Sequence, residues 1–229
     1  MDMSDNNVLI HIGKCGGSSL RKAILSSDVY KNIEIVHIKK PVYTHNVNYY
    51  IVARDPIKRS ISAFNWRYKL VVEEEREKQK YRFENEYEIL KKYKNLNNLC
   101  EKLYNDNGES DQASIIEFET IHHLKERISF YLSDFLDVCP KEQIKGVLMQ
   151  ETLTQDLEKI FSIPSAVMGS EKQNKVPSKS FLSPKAHRNL VRFLEADYLC
   201  LIKLYDYGFI QNDVMKNILR DRDLYGEKN

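Results

Sequence analysis

"VLIHIGKCGGSSLRKAIL", residues 8–25, decides the fold. Val8 to Ile12 is a short run rich in β-branched residues that stops at a glycine, and Leu20, Ala23 and Ile24 then recur at helical spacing. The stretch reads as strand, turn, helix. A glycine-rich turn entering a helix directs several backbone N–H groups at one point, where the helix dipole also favours negative charge. Gly16 and Gly17 permit close approach, Ser18 and Ser19 add hydroxyl donors, and Lys14 adds a full positive charge, so a phosphate is the natural guest. Walker A loops end in Gly-Lys-Ser/Thr, and here the lysine precedes the glycines. Taken alone, the stretch is equally compatible with a bare strand-to-helix turn.

Working outward, "IEIVHI" (33–38) and "YYIVA" (49–53) have the apolar density of strands covered on both faces, and "GVLMQ" (146–150) reads as another. With helices between them, the expectation is an α/β fold: one domain spanning 1–229, with a central parallel sheet flanked by helices and a P-loop-like turn after its first strand. The third strand runs into "RDPIKRSISAF", where Asp55 suits a helix cap and Pro56 a first turn. About 100° per residue places Asp55, Arg59 and Ser62 on one helical face and Ile57, Ile61 and Phe64 on the other. Arg54 ends a strand, where ligands of open α/β sheets bind. It can grip a second phosphate with Ser62, while Arg59 pairs with Asp55 at the helix start.

Both stretches together resemble the sulfotransferases that use 3′-phosphoadenosine 5′-phosphosulfate. "IHIGKCGGSSL" is similar to their 5′-phosphosulfate loop and "VARDPIKRSISAF" to their 3′-phosphate motif, in the expected order and separation. The pattern resembles in particular the carbohydrate sulfotransferases, including the heparan sulfate 2-O-sulfotransferase group and related bacterial proteins. Two positions depart from it: Gly13 stands where the family has proline and Cys15 where it has threonine. The resemblance covers residues 8–66 and implies a donor site of Lys14, Gly16, Gly17, Ser18, Ser19, Arg54 and Ser62. Near the C-terminus "VPSKSFLSP" occupies the place of a loop over the nucleotide (169–184), which implies contacts from Ser178 and Lys179. It also implies sulfuryl transfer to a hydroxyl, on a saccharide, with Lys14 and a base histidine as the catalytic groups.

His37, at the end of the second strand, is the leading base and His45, in the next loop, the second. His11 reads as a core residue, His122 and His123 as residues of a helix over "IEFETIHHLKERISFYLSDFL", and His187 as surface. No cluster in the sequence calls for a metal. A nucleotide-binding regulator without catalysis and a P-loop-like kinase are the rival functions.

Residues 67–110 begin with a densely charged stretch that reads as exposed helices, with Glu74–Lys78 and Glu88–Lys92 at i,i+4; its charge suits either a solvated face or an acceptor wall. A final helix is expected from Lys185 to Leu204. The 35 basic and 33 acidic residues of the 229 leave a net charge of +2, which gives no global footprint for nucleic acid or anionic membrane. No apolar run approaches membrane-span length, and "MDMSDNN" lacks signal-peptide character, so a cytoplasmic protein is expected. Cys15, Cys100, Cys139 and Cys200 form no C-x-x-C pair, which argues against zinc-ribbon and disulfide frameworks.

Overall fold

A computed structural model describes residues 6–16, 20–21, 23–24, 33–164 and 181–225. The fold is α/β. Four strands, β1 (Asn6–His11), β2 (Ile33–Val36), β3 (Val47–Ala53) and β4 (Ile144–Met149), form a parallel sheet in the order β2-β1-β3-β4. The chain leaves β1 for β2 on one side, then crosses back to β3 on the other. The sheet therefore changes winding direction between β1 and β3, and ligands of such sheets bind beyond the strand ends at that point.

Among the described residues the helices with defined bounds are α1 (Pro56–Tyr68), α2 (Glu77–Lys80), α3 (Glu86–Tyr93), α4 (Leu96–Cys100), α5 (Gln112–Thr120), α6 (Ile128–Val138), α7 (Leu153–Phe161), α8 (Pro184–Phe193), α9 (Glu195–Asp206) and α10 (Asn212–Arg222). They and the strands gather into two compact units. The first comprises 1–55, 128–173 and 196–218, and the second 56–127, 174–195 and 219–229. Neither is a continuous stretch of chain.

The first unit holds the sheet. Successive strand residues face opposite sides. Tyr49 of β3 accordingly meets Phe135 of α6, and its neighbour Tyr50 meets Phe161 of α7, each at 4.8 Å between ring centroids. Gly146 lets α7 lie close to β4, because a Cβ there would come within 2.9 Å of Ile160. Leu9, Ile10, Ile51, Val52 and Leu148 are almost fully buried, as strands covered on both faces require. Helix α6 is anchored at its start by Asp197 of α9, whose carboxylate accepts from the N–H groups of Ile128 (3.2 Å) and Ser129 (2.8 Å).

The second unit corrects several expectations. The expected helix across 116–136 is broken: α5 ends at Thr120, α6 starts at Ile128, and His122 and His123 lie in the turn between, with His123 in the left-handed region (φ 69°). The expected helix from Lys185 to Leu204 divides at Leu194, a buried residue that follows α8 and precedes α9 in the chain. The charged stretch is not simply an exposed surface. Arg67 and Glu86 are 2% and 0% exposed and form a bidentate pair at 2.9 and 2.5 Å, Glu86 also accepting from the N–H of His122 at 2.8 Å. Glu74 engages Arg76 (2.6 Å) and Lys69 (3.6 Å) rather than Lys78, and Lys92 reaches Glu117 of α5 (2.6 Å) rather than Glu88.

On α1 the polar face is buried as well. Arg59 is 0% exposed and its Nη2 donates to the carbonyl oxygens of His123 (2.6 Å) and Glu126, in place of the expected pair with Asp55. His187 is also buried, its Nε2 bonded to the carbonyl oxygen of Asp221 at 2.8 Å. Burial lowers its pKa, although that bond raises it.

Candidate functional site

The register brings all four strand ends to one edge. Ile10 lies beside Val36, His11 beside Val52, and Ala53 beside Met149, so Lys14, His37, Arg54 and Glu151 all emerge where the parallel strands finish.

Two hydrogen bonds join these ends. Arg54 Nη1 donates to the carbonyl oxygen of Lys14 at 3.2 Å, so the head of the second motif holds the turn of the first. His37 Nδ1 lies 2.9 Å from the carbonyl oxygen of His11. A carbonyl can only accept, so the neutral His37 ring carries its proton on Nδ1 and its lone pair on Nε2. The His37 ring also stacks on His11, with centroids 4.3 Å apart and planes 16° from parallel. Burial, with the charges of His37 and Arg21 adding to it, pushes the pKa of His11 down to about 4. His11 is therefore a neutral stacking partner, in keeping with its expected core role.

The turn itself is tight. Lys14 takes a left-handed conformation (φ 70°), uncommon for a residue with a side chain, and Gly16 follows at φ 83°. A Cβ on Gly16 would meet Leu153 at 3.0 Å and Gln150 at 3.1 Å, so both backbone angle and space demand glycine. The N–H of Leu20 donates to the carbonyl oxygen of Gly16 at 3.3 Å, where helical structure resumes. Gly17, Ser18 and Ser19 lie outside the described residues, as do Ser178 and Lys179. Cys15 is fully buried, with Sγ 3.8 Å from the carbonyl oxygen of Gly13.

Ser62 is half-buried on α1, in the second unit. His45 is exposed beside the start of β3, with Nδ1 3.0 Å from the hydroxyl of Tyr43, so it stands at the opposite end of the sheet from the turn. That placement separates the two base candidates. Glu151 was missed in the sequence: its Oε1 accepts from the N–H of Asp55 at 3.1 Å, placing a carboxylate at the same edge as Lys14 and Arg54. Its position directly after a β-run was the available signal. A cavity of about 550 Å³ under the starts of β1 and β3, with Asn7, Glu34, Lys39 and Tyr49 in its lining, includes none of the expected donor residues.

Among the described residues no helix is long and apolar enough to cross a membrane. Comparison of the chain with protein-family models, with curated proteins and with solved structures finds no match.

Proposed function

We propose that this protein transfers a sulfuryl group from 3′-phosphoadenosine 5′-phosphosulfate to a hydroxyl acceptor, a carbohydrate by preference. The observation that carries the reading is the hydrogen bond from Arg54 to Lys14. The two stretches that resemble the donor-binding motifs, separated by 40 positions in the chain, meet at the switch point of the sheet.

In the transfer the acceptor oxygen forms a bond to sulfur while the bond from sulfur to the phosphate oxygen breaks, and the acceptor's proton leaves. His37 takes that proton on Nε2, which carries the lone pair because Nδ1 donates to the His11 carbonyl. Lys14 offsets the negative charge that grows on the departing phosphate oxygen, and 3′-phosphoadenosine 5′-phosphate leaves. Arg54 grips the 3′-phosphate, a contact lacking in adenosine 5′-phosphate. The cytoplasm is the proposed location.

The test is incubation with sulfur-labelled donor and a mixed glycan library. Label transferred by the native chain, and slowed far more by Lys14→Ala than binding of the product nucleotide is weakened, is the expected result. Nucleotide binding without any transfer would leave a regulator, and preference for ATP would leave a kinase.

A further inference from the structure

The turn between α5 and α6, in the second unit, gathers His122, His123 and Glu126, and one potential ligand atom from each lies within 4.8 Å of the others. Neighbouring side chains on extended backbone point apart. The left-handed turn at His123 instead brings the two rings to 4.0 Å between centroids. Glu126 completes the group, its Oε2 lying 3.3 Å from His122 Nδ1 and accepting from the N–H of His123 at 2.7 Å. Burial raises the pKa of Glu126, but the bonds from His122 and from backbone N–H groups outweigh it, and the carboxylate is held below its ordinary range.

We propose that His122, His123 and Glu126 bind one divalent transition-metal ion, zinc by preference. Two imidazoles and one carboxylate make a three-ligand set that leaves a fourth position for water, whereas calcium and magnesium select oxygen-only shells. Tetrahedral ligands about 2.1 Å from zinc stand roughly 3.4 Å apart, so a pair at the 4.8 Å limit closes by about 1.4 Å on binding. Side chains fix the group from outside. The His122 ring stacks on Phe83 at 4.4 Å, and Arg59 donates to the carbonyl oxygens of His123 and Glu126, tying both ends of the ligand segment. His123 is only half-buried, which leaves a path for the ion. The buried charge of Arg59 opposes a second cation, and the expected affinity is therefore weaker than that of a structural zinc finger.

The full chain, stripped with chelator and desalted, would be titrated with zinc by calorimetry and with cobalt by visible absorption. The expected result is one equivalent of either ion with tetrahedral cobalt bands, an affinity loss of about tenfold or more in Glu126→Gln and His123→Ala, and none in His45→Ala. His123→Cys gives a readout independent of affinity, because a cobalt–thiolate charge-transfer band places the ion at that residue. Circular dichroism confirms that each variant is folded. Absence of saturable uptake by the native chain overturns the proposal, as does uptake retained in the folded Glu126→Gln and His123→Ala variants or a His123→Cys spectrum without the thiolate band.

Discussion

At the scale of single residues, Lys14, His37 and Arg54 stand at one edge because each directly follows, or nearly follows, a strand end in a parallel sheet. Their roles separate in measurement. Arg54→Ala is expected to weaken binding of 3′-phosphoadenosine 5′-phosphate by roughly 1.5 to 3 kcal/mol and to change binding of adenosine 5′-phosphate much less, since only the former carries the 3′-phosphate. Calorimetry with both nucleotides decides it, and equal weakening would remove the 3′-phosphate assignment. For His37 the readout is the pH profile. A base must be neutral to accept a proton, so turnover falls on the acid side, and His37→Ala should lose about 100-fold in rate together with that limb while still binding donor. His45→Ala should resemble the native protein, given its place at the far end of the sheet. A stable His37→Ala with near-native turnover would pass the role to Glu151. The strand-end residues were legible in the sequence because a β-branched run ending in glycine or arginine marks its own end. The tautomer of His37 was not, because it depends on the His11 carbonyl, 26 positions away.

At the scale of elements, the charged stretch after α1 shows how tertiary partners override a local reading. Its spacing suggested exposed i,i+4 pairs, yet Arg67 at the end of α1 and Glu86 at the start of α3 are buried against each other, with Gln79 accepting from Arg67 Nη1 at 2.9 Å. Removing one member of such a pair leaves the other charge buried and uncompensated. Glu86→Gln is therefore expected to destabilise the protein by about 3 to 5 kcal/mol, measured as a lower urea midpoint with an unchanged slope. A shift below about 1 kcal/mol would mean the pair is solvated in solution. Likewise nothing in "NLVRFLEADYLCLIKL" announces the division at Leu194, since it holds neither glycine nor proline. The chain nevertheless passes there from one compact unit to the other.

For the molecule as a whole, buried histidines make stability depend on pH. His11 is held neutral by burial, with a folded-state pKa of about 4 against an ordinary value of 6.5. Between those values the unfolded chain binds a proton that the folded one does not, so its contribution is fully present above about pH 6.5 and is lost as pH falls toward about 4. The loss amounts to roughly 3 kcal/mol at most, and His187, also lowered by burial, adds in the same direction. Urea midpoints from pH 7.5 to about 4.5 should fall steadily in the native protein and less steeply in His11→Phe, which keeps an aromatic ring but cannot titrate. An equal slope in both would show that His11 titrates normally when folded. The remaining thiols take no part near neutral pH, because burial raises Cys100 and pushes Cys139 and Cys200 to about 11.

The α/β order and the four strands were determined by the sequence alone, because alternation of short β-branched runs with helical spacing is a local property of the chain. The burial of Arg59, Arg67 and Glu86 was decided only by tertiary structure. A charged side chain enters the interior only where acceptors from elsewhere in the fold receive it. Arg59 finds them 64 and 67 positions away, and Arg67 finds its carboxylate 19 positions away. No window of local sequence contains both partners, so composition and periodicity read such residues as solvent-facing until the fold brings them together.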